Sequence, residues 1–173
     1  FDGLRLFDFV KDSFRTQEGF TGIETRHTYS KDVGFGFKNA GIWQAHDSVY
    51  ADTLNRDGIF VNSGKFLVDL PNGKYRLELN VNHLGYWNEH FWNKRQVEIN
   101  GQKVLDESIL SYEKYLKNFL RFKDVEPGYN DNAYDLYLKD LFKPIIHDVV
   151  VENGQLEISV TGDRSAICFN SLI

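Results

Sequence analysis

The chain has 173 residues, of which 42% are hydrophobic, 15% aromatic and 26% charged, and its formal net charge at pH 7 is −5. This length and composition predict one globular domain with a sizeable core. The acidic balance argues against nucleic acid as the main partner, because phosphate binding requires a basic face. No apolar run approaches the roughly 18 residues of a membrane span. A single cysteine, Cys168, excludes an internal disulfide and a cysteine-based metal cluster.

The chain opens on Phe1, contains no methionine and begins without a signal-peptide pattern. We therefore expect residues 1–173 to be a single domain taken from a longer, multidomain protein.

The N-terminal third starts with a strand pattern, LRLFDFV, followed by the glycine-rich passage GFTGIETRHTYSKDVGFGF. Its glycines indicate tight turns and close backbone approach. The next segment, NAGIWQAHDSVYADTLNRDG, carries Trp43, His46, Asp47 and Tyr50. Two interpretations stay open: the segment lines the mouth of a sandwich, or it is a long connection anchored by a buried tryptophan and tyrosine.

Arg56 and Asp57 are adjacent and precede a strand predicted at about 58–61. We interpret them as a buried or half-buried ion pair beside that strand, and contact with a ligand is the alternative.

Three Asn-Gly dipeptides, at 72–73, 100–101 and 153–154, separate runs in which apolar and polar residues alternate. Asn and Gly tolerate the positive φ angles of a type I′ turn, which matches the twist of paired strands. The sequence therefore predicts three antiparallel hairpins. The C-terminal AICFNSLI predicts a closing strand in which Cys168 is a small buried hydrophobe.

Residues 83–94, within the stretch NHLGYWNEHFWNKRQ, fall between two predicted strands and are therefore expected to form a surface loop. Sugars present flat C–H faces and hydroxyls, so a saccharide site pairs aromatic rings with amides and charged groups. The residues predicted to contact a saccharide are Tyr86, Trp87, Asn88 and Trp92, with Trp43 and Tyr50 from the earlier segment. In the alternative, half of these rings fold inward and either cap one end of the sandwich or pack on a helical insert predicted at about 106–143.

Residues 106–143 interrupt the strand pattern. DESILSYEKYLKNFLRF has apolar residues at helical spacing. Pro127-Gly128 ends this passage, and Asp131 or Asn132 offers an N-cap for a shorter second helix. The sequence therefore predicts a partly helical insert at about 106–143.

Catalytic motifs are lacking: there is no G-x-S-x-G, and the five histidines form neither HxH nor HExxH. Acidic pairs lie in the predicted helices, where solvated faces are the simpler explanation. The stretch YNDNAYD has oxygen ligands but lacks the glycine and terminal glutamate of an EF-hand. We predict a domain with no catalytic residues and no cofactor.

Several segments, taken in order, resemble one known family: LFDF, GFTGIETRHTYSKDVGFGF, NRDG, FLVDLPNGKYRLELNV, VEINGQKV, VVVENGQLEISVTG and AICFNSLI. The chain resembles the galactose-binding-like β-jelly-roll domain found beside β-agarases and rhamnogalacturonan-acetylesterase-like (YxiM-type) esterases, a relative of malectin-like carbohydrate-binding modules. The resemblance covers nearly the whole chain apart from the insert. It implies an all-β antiparallel sandwich of the jelly-roll type.

By the same resemblance we expect a secreted, non-catalytic accessory domain of a polysaccharide-degrading protein, extracellular or periplasmic. Its partners would be an oligo- or polysaccharide and an adjacent catalytic module, such as a glycoside hydrolase, lyase or esterase. The resemblance also allows a structural calcium ion, to which the sequence assigns no ligands. The alternative function is a structural spacer that docks onto the catalytic module without binding sugar. In a third hypothesis the aromatic loop forms part of that module's active-site rim.

Overall fold

In a computed structural model of the chain, the structure describes residues 3–47, 53–82, 94–108, 128–132, 135, 143–163 and 166–173. The predicted antiparallel β-sandwich is confirmed. Its strands are β1 (Phe7–Phe9), β2 (Thr21–Ile23), β3 (Phe35–Lys38), β4 (Ile42–Asp47), β5 (Asp57–Val61), β6 (Ser63–Asp69), β7 (Gly73–Asn80), β8 (Arg95–Ile99), β9 (Gln102–Glu107), β10 (Ile145–Val151), β11 (Gln155–Gly162), β12 (Cys168–Phe169) and β13 (Ser171–Leu172). A short 3₁₀ turn, Ser13–Arg15, lies between β1 and β2.

One sheet has the strand order β10-β7-β13-β1-β2, a second has β3-β6-β11-β8-β9, and a three-stranded sheet has β12-β5-β4. The pairing of β1 with β2 is parallel, and the other strand pairs are antiparallel. Residues 166–173 join the first and third sheets into one layer. Their backbone bonds to β7 along one edge, and to β5 and then β1 along the other.

The core between the layers is formed by side chains that alternate along each strand, as the sequence pattern predicts. In β11 the buried positions are Leu156, Ile158 and Val160. At the centre, the ring centroid of Phe9 lies 4.9 Å from that of Phe66 and 5.0 Å from that of Phe169. Such tilted aromatic contacts add specificity to the area that the rings bury.

Of the three predicted hairpins, one is confirmed and two are wrong. Asn100 and Gly101 join β8 to β9 with φ angles of 47° and 78°, both positive as a type I′ turn requires. The dipeptides at 72–73 and 153–154 instead carry the chain from one layer to the other. β6 pairs with β11 and β7 pairs with β10. A strand that crosses to the facing sheet buries one face just as a hairpin partner does, so alternation cannot distinguish the two.

All three dipeptides lie at one end of the sandwich, which we call the Asn-Gly end (residues 71–73, 100–101 and 152–154). The side-chain oxygen of Asn72 accepts a bond of 2.8 Å from the backbone N–H of Gly154. Asn100 accepts a bond of 2.8 Å from the N–H of Glu157 and donates one of 3.2 Å to the carbonyl of Val150. These asparagines therefore connect strands of both layers.

The predicted helical insert at 106–143 is not supported. Asp106 and Glu107 belong to β9, where they pair with Gln96 and Arg95 of β8. Acidic residues are also common in the first turn of a helix. For this reason the predicted insert began at residue 106, although β9 continues to Glu107. Residues 109–127, 133–134 and 136–142 lie outside the described residues. In the described part of the chain, no helix has the length and apolar character needed to cross a membrane.

Candidate ligand-binding end of the sandwich

Two strand ends lead into the predicted aromatic segments, and we call the described residues that connect them the loop end (Asp47, Asn55, Arg56, Asn80 and Asn82). Asp47 ends β4 and precedes residues 48–52, while Asn82 follows β7 and precedes residues 83–93. The two positions are connected through the residues before β5: Arg56 bonds to Asp47, and Asn55 accepts a bond of 2.7 Å from Asn80. Hydrogen bonds thus connect the residues that precede the two segments.

Asp47 is held between two arginines. Its carboxylate accepts bonds of 3.0 and 3.2 Å from Nε and Nη2 of Arg56, and a further bond from Nη1 of Arg15. The predicted ion pair between Arg56 and Asp57 is therefore wrong, because Arg56 pairs with Asp47. Asp57 is 1% exposed and accepts a bond of 3.1 Å from the backbone N–H of Lys11. Arg56 lies in the bend that precedes β5, whereas Asp57 is the first residue of that strand.

Trp43 and His46 lie on β4 and contact the outward face of Phe60. Their ring centroids are 5.7 and 6.4 Å from that of Phe60. Both side chains are half-buried, so Trp43 is anchored by packing and keeps part of its surface accessible. Burial, with a smaller contribution from the charge of Lys11, lowers the pKa of His46. The imidazole is therefore neutral at neutral pH.

Trp43 is the member of the predicted saccharide site that the structure describes. The other predicted contacts lie outside the described residues: Tyr50, Tyr86, Trp87, Asn88 and Trp92. Whether any of these six residues touches a ligand stays a prediction.

A polar network that the sequence reasoning missed supports the ends of β7, β8 and β9. Arg95, whose side chain is 6% exposed, donates to Glu107 at 2.7 Å, to Asn82 at 3.1 Å and to the carbonyl of Ala166 at 3.2 Å. Asn80 accepts a bond of 3.0 Å from the backbone N–H of Asn82. The signal was present in RQVEI, where alternation places the arginine on the same face as two buried aliphatic residues.

Buried carboxylate and amide groups lie between β1, β5 and the closing segment (residues 166–173). Asp8 is fully buried, and its Oδ2 accepts a bond of 2.7 Å from the N–H of Gln17. Asn170 donates a bond of 2.7 Å to the carbonyl of Asp57. The Oδ1 atoms of Asp57 and Asn170 are buried without a hydrogen-bond partner among the described residues. Oxygen-only ligands of this kind suit calcium, so the donor chemistry fits the ion that the resemblance allows.

Burial also perturbs two titrating groups there. It raises the pKa of Asp57, against the opposing effect of its bond from Lys11. Burial, with the nearby charge of Asp57, raises the pKa of the Cys168 thiol. Cys168 is 2% exposed, which confirms it as a buried hydrophobe, and a thiol kept protonated is a poor nucleophile. Within the described ranges, no group of three or more His, Cys, Asp or Glu residues could hold a metal ion.

No family model matches the chain, and no curated protein matches it. Among solved structures, it is similar to the Bacillus subtilis protein YxiM, with a TM-score of 0.61 and 17% identity over 97% of this chain and 38% of that one. A Bacteroides uniformis β-glucuronidase gives a TM-score of 0.54 and 10% identity over 97% of this chain and 17% of the other. β-Glucuronidase 2 of the same organism gives a TM-score of 0.53 and 12% identity over 99% of this chain and 17% of the other.

The TM-scores, all above 0.5, show a common fold, in agreement with the jelly-roll sandwich that the sequence resemblance implies. This chain spans less than two fifths of the length of YxiM and less than one fifth of either glucuronidase.

Proposed function

We propose that the chain is a non-catalytic, carbohydrate-binding-like accessory domain of a polysaccharide-degrading protein that acts outside the cell or in the periplasm. The observation that carries this proposal is the chain of hydrogen bonds that connects the residues of the loop end. Asp47 and Asn82, which lead into the two aromatic segments, are linked through Arg56, Asn55 and Asn80. Aromatic rings beside amides and charged groups match the C–H faces and hydroxyls of a sugar.

The similarity to YxiM-type and glucuronidase structures supports the fold on which this proposal depends. The membership in the YxiM-type family and the attachment to a catalytic module remain parts of the proposal. The parent protein would be a glycoside hydrolase, a polysaccharide lyase or a carbohydrate esterase.

Titration of the domain with a panel of neutral and acidic oligosaccharides, followed by amide chemical shifts, tests the proposal. We expect shifts at Trp43 and in the segments that carry Tyr50 and Tyr86–Trp92. The variant pair Trp87→Ala and Trp92→Ala should weaken binding. Tyr129→Ala is the matched control, because that ring is wholly exposed and lies in another part of the chain. Absence of any shift with every oligosaccharide would refute saccharide binding.

A second candidate function is that of a structural spacer which docks onto the catalytic module. It is favoured by Ile146 and Val150, which are 61% and 52% exposed on the edge strand β10. Exposed apolar residues on a sheet edge are typical of contact surfaces. In this case Ile146→Ser with Val150→Ser should abolish the contact between the domain and its neighbouring module in the full-length protein. Titration with saccharides should then produce no chemical-shift changes.

We also propose that Asp8, Asp57 and Asn170 hold a structural calcium ion. The buried Oδ1 atoms of Asp57 and Asn170 that lack a hydrogen-bond partner support this assignment. The ion would neutralise the buried carboxylates and so stabilise the junction of β1, β5 and the closing segment.

A further inference from the structure

The two arginines around Asp47 keep hydrogen-bond donors that the carboxylate does not use. Asp47 bonds to Nη1 of Arg15 and to Nε and Nη2 of Arg56. Nη2 of Arg15 and Nη1 of Arg56 take no part in these bonds to the carboxylate. The side chains of Arg15 and Arg56 are 31% and 27% exposed, whereas that of Asp47 is 9% exposed. The surface of this cluster therefore presents guanidinium groups, and the carboxylate lies beneath them.

The most exposed charges of the cluster formed by Arg15, Asp47 and Arg56 are its two guanidinium groups, although the whole chain carries −5. The nearby carboxylate of Asp57 is buried as well, at 1% exposure. Guanidinium groups at a surface attract an anionic group and repel a cationic one.

An exposed aromatic ring stands directly beside this cluster. Phe14 is 79% exposed, and the guanidinium carbon of Arg15 lies 5.2 Å from its ring centroid. A large apolar ring with this exposure buries little area in the fold, so it contributes little to stability. Both residues belong to the 3₁₀ turn Ser13–Arg15, which sets the ring and the cation side by side.

The segment that carries this turn is held in position by the sheet beneath it. The backbone N–H of Lys11 donates to Asp57 at 3.1 Å, and that of Gln17 donates to Asp8 at 2.7 Å. Arg15 is tied to Asp47 at the end of β4. Bonds on both sides of the turn pre-organise Phe14 and Arg15, which reduces the entropy lost when a ligand binds.

We propose that Phe14, Arg15 and Arg56 form a binding site for a saccharide unit that carries a carboxylate or sulfate group. The anionic group bonds to the donors of the guanidinium forks, whose planar geometry matches such oxyanions. The C–H face of the sugar ring stacks on Phe14. The inference rests on the proposed saccharide-binding function and names the class of saccharide.

Calorimetric titration with three oligosaccharides of equal length tests this site: an oligogalacturonate, a sulfated galactan fragment and a neutral galactan fragment. We expect at least one acidic probe to bind about tenfold or more tightly than the neutral one, since a hydrogen bond to a charged group is worth about 1.5–3 kcal/mol. The acidic probe that binds more tightly shows whether the site prefers a carboxylate or a sulfate group. Added salt should weaken the binding of the acidic probe.

Variants assign the binding to these residues. Phe14→Ala leaves the ion pairs intact and should lower the affinity for the acidic probe severalfold. Arg56→Gln should remove the preference for the acidic probe over the neutral one. Arg76→Gln and Tyr129→Ala are the matched controls, because Arg76 is an exposed arginine on β7 paired with Asp148 and Tyr129 is an exposed ring. Thermal unfolding of each variant checks that the fold is retained.

Two negative outcomes can be told apart. If the neutral probe binds as tightly as the acidic ones, or if Phe14→Ala and Arg56→Gln behave like the controls, the Phe14 site is refuted and saccharide binding itself stands. If none of the probes binds, and none in the wider panel does, both the site and the proposed function are refuted.

Discussion

Arg95 and Glu107 form an ion pair with a separation of 2.7 Å, in which the arginine side chain is 6% exposed and the glutamate side chain 38% exposed. The pair joins the first residue of β8 to the last residue of β9. Because the cation is the buried partner, loss of the glutamate would leave a charge that water cannot reach.

We expect Glu107→Gln to lower the free energy of unfolding by about 1–3 kcal/mol, because it removes the charged acceptor of a buried guanidinium. Urea denaturation measures the change. Asp148→Asn is the control: Arg76 and Asp148 are 72% and 71% exposed, so this variant should change stability little. Equal effects of the two substitutions would contradict a special role for the buried arginine.

The turn at Asn100 combines backbone conformation with contacts to both layers. Asn100→Ala should lower stability by about 1–3 kcal/mol, because alanine tolerates the φ of 47° poorly and breaks the bonds to Glu157 and Val150. Asn100→Gly removes only the side-chain bonds, since glycine adopts this φ freely. Chemical denaturation of both variants separates the two effects. If Asn100→Gly were as destabilising as Asn100→Ala, the strain component would be absent.

His46 predicts how stability depends on pH. Its pKa is lowered from 6.5, first by burial and second by the charge of Lys11, so the native state resists protonation more than the unfolded chain does. The stability that neutral His46 provides is therefore present above pH 6.5 and lost as the pH falls through the lowered pKa. His46→Gln should lose less stability than the wild-type protein between about pH 8 and about pH 5. Parallel urea curves for both proteins at the two pH values would refute this.

In the calcium-free protein, Asp57 acts in the opposite direction at lower pH. Its pKa is raised from 3.8 mainly by burial, so its contribution is full below pH 3.8 and is lost as the pH rises through the raised pKa. Urea denaturation of His46→Gln and of Asp57→Asn over a range of pH therefore separates the contributions of the two groups to the free energy of unfolding.

Calcium should stabilise the protein through Asp8, Asp57 and Asn170. At a free concentration of about 100 times Kd, a ligand specific for the native state adds about 2.7 kcal/mol. We expect the melting temperature to rise with calcium, to fall with a chelator and to become insensitive to both in Asp57→Asn. Magnesium is the control ion, because it favours a smaller octahedral site with retained water. If calcium leaves the melting temperature of the wild-type protein unchanged, the proposed calcium site is refuted.

Much of the sandwich could be predicted from local pattern. Alternation in β7, β8 and β11 placed the strands correctly, and the positive φ preference of Asn-Gly predicted the turn between β8 and β9. The same dipeptide at 72–73 and 153–154 misled, because nothing local distinguishes a hairpin from a crossing to the facing layer. Which of the two forms depends on pairing partners that are remote in sequence, such as β6 with β11.

The candidate sites divide in the same way. Trp43, and the aromatic segments that flank the loop end, were identified from composition alone. The site around Phe14 was not, because Arg15 is 32 residues from Asp47 in sequence and meets it only in the folded chain.

The sequence by itself determined the all-β class, the buried faces of the strands and the abundance of aromatic side chains, since these depend on the period of the pattern and on residue type. The tertiary structure alone decided which strands pair, which carboxylate each arginine meets and which oxygen atoms become buried without a donor. These depend on contacts between residues that are distant along the chain, and a local pattern carries no information about such contacts.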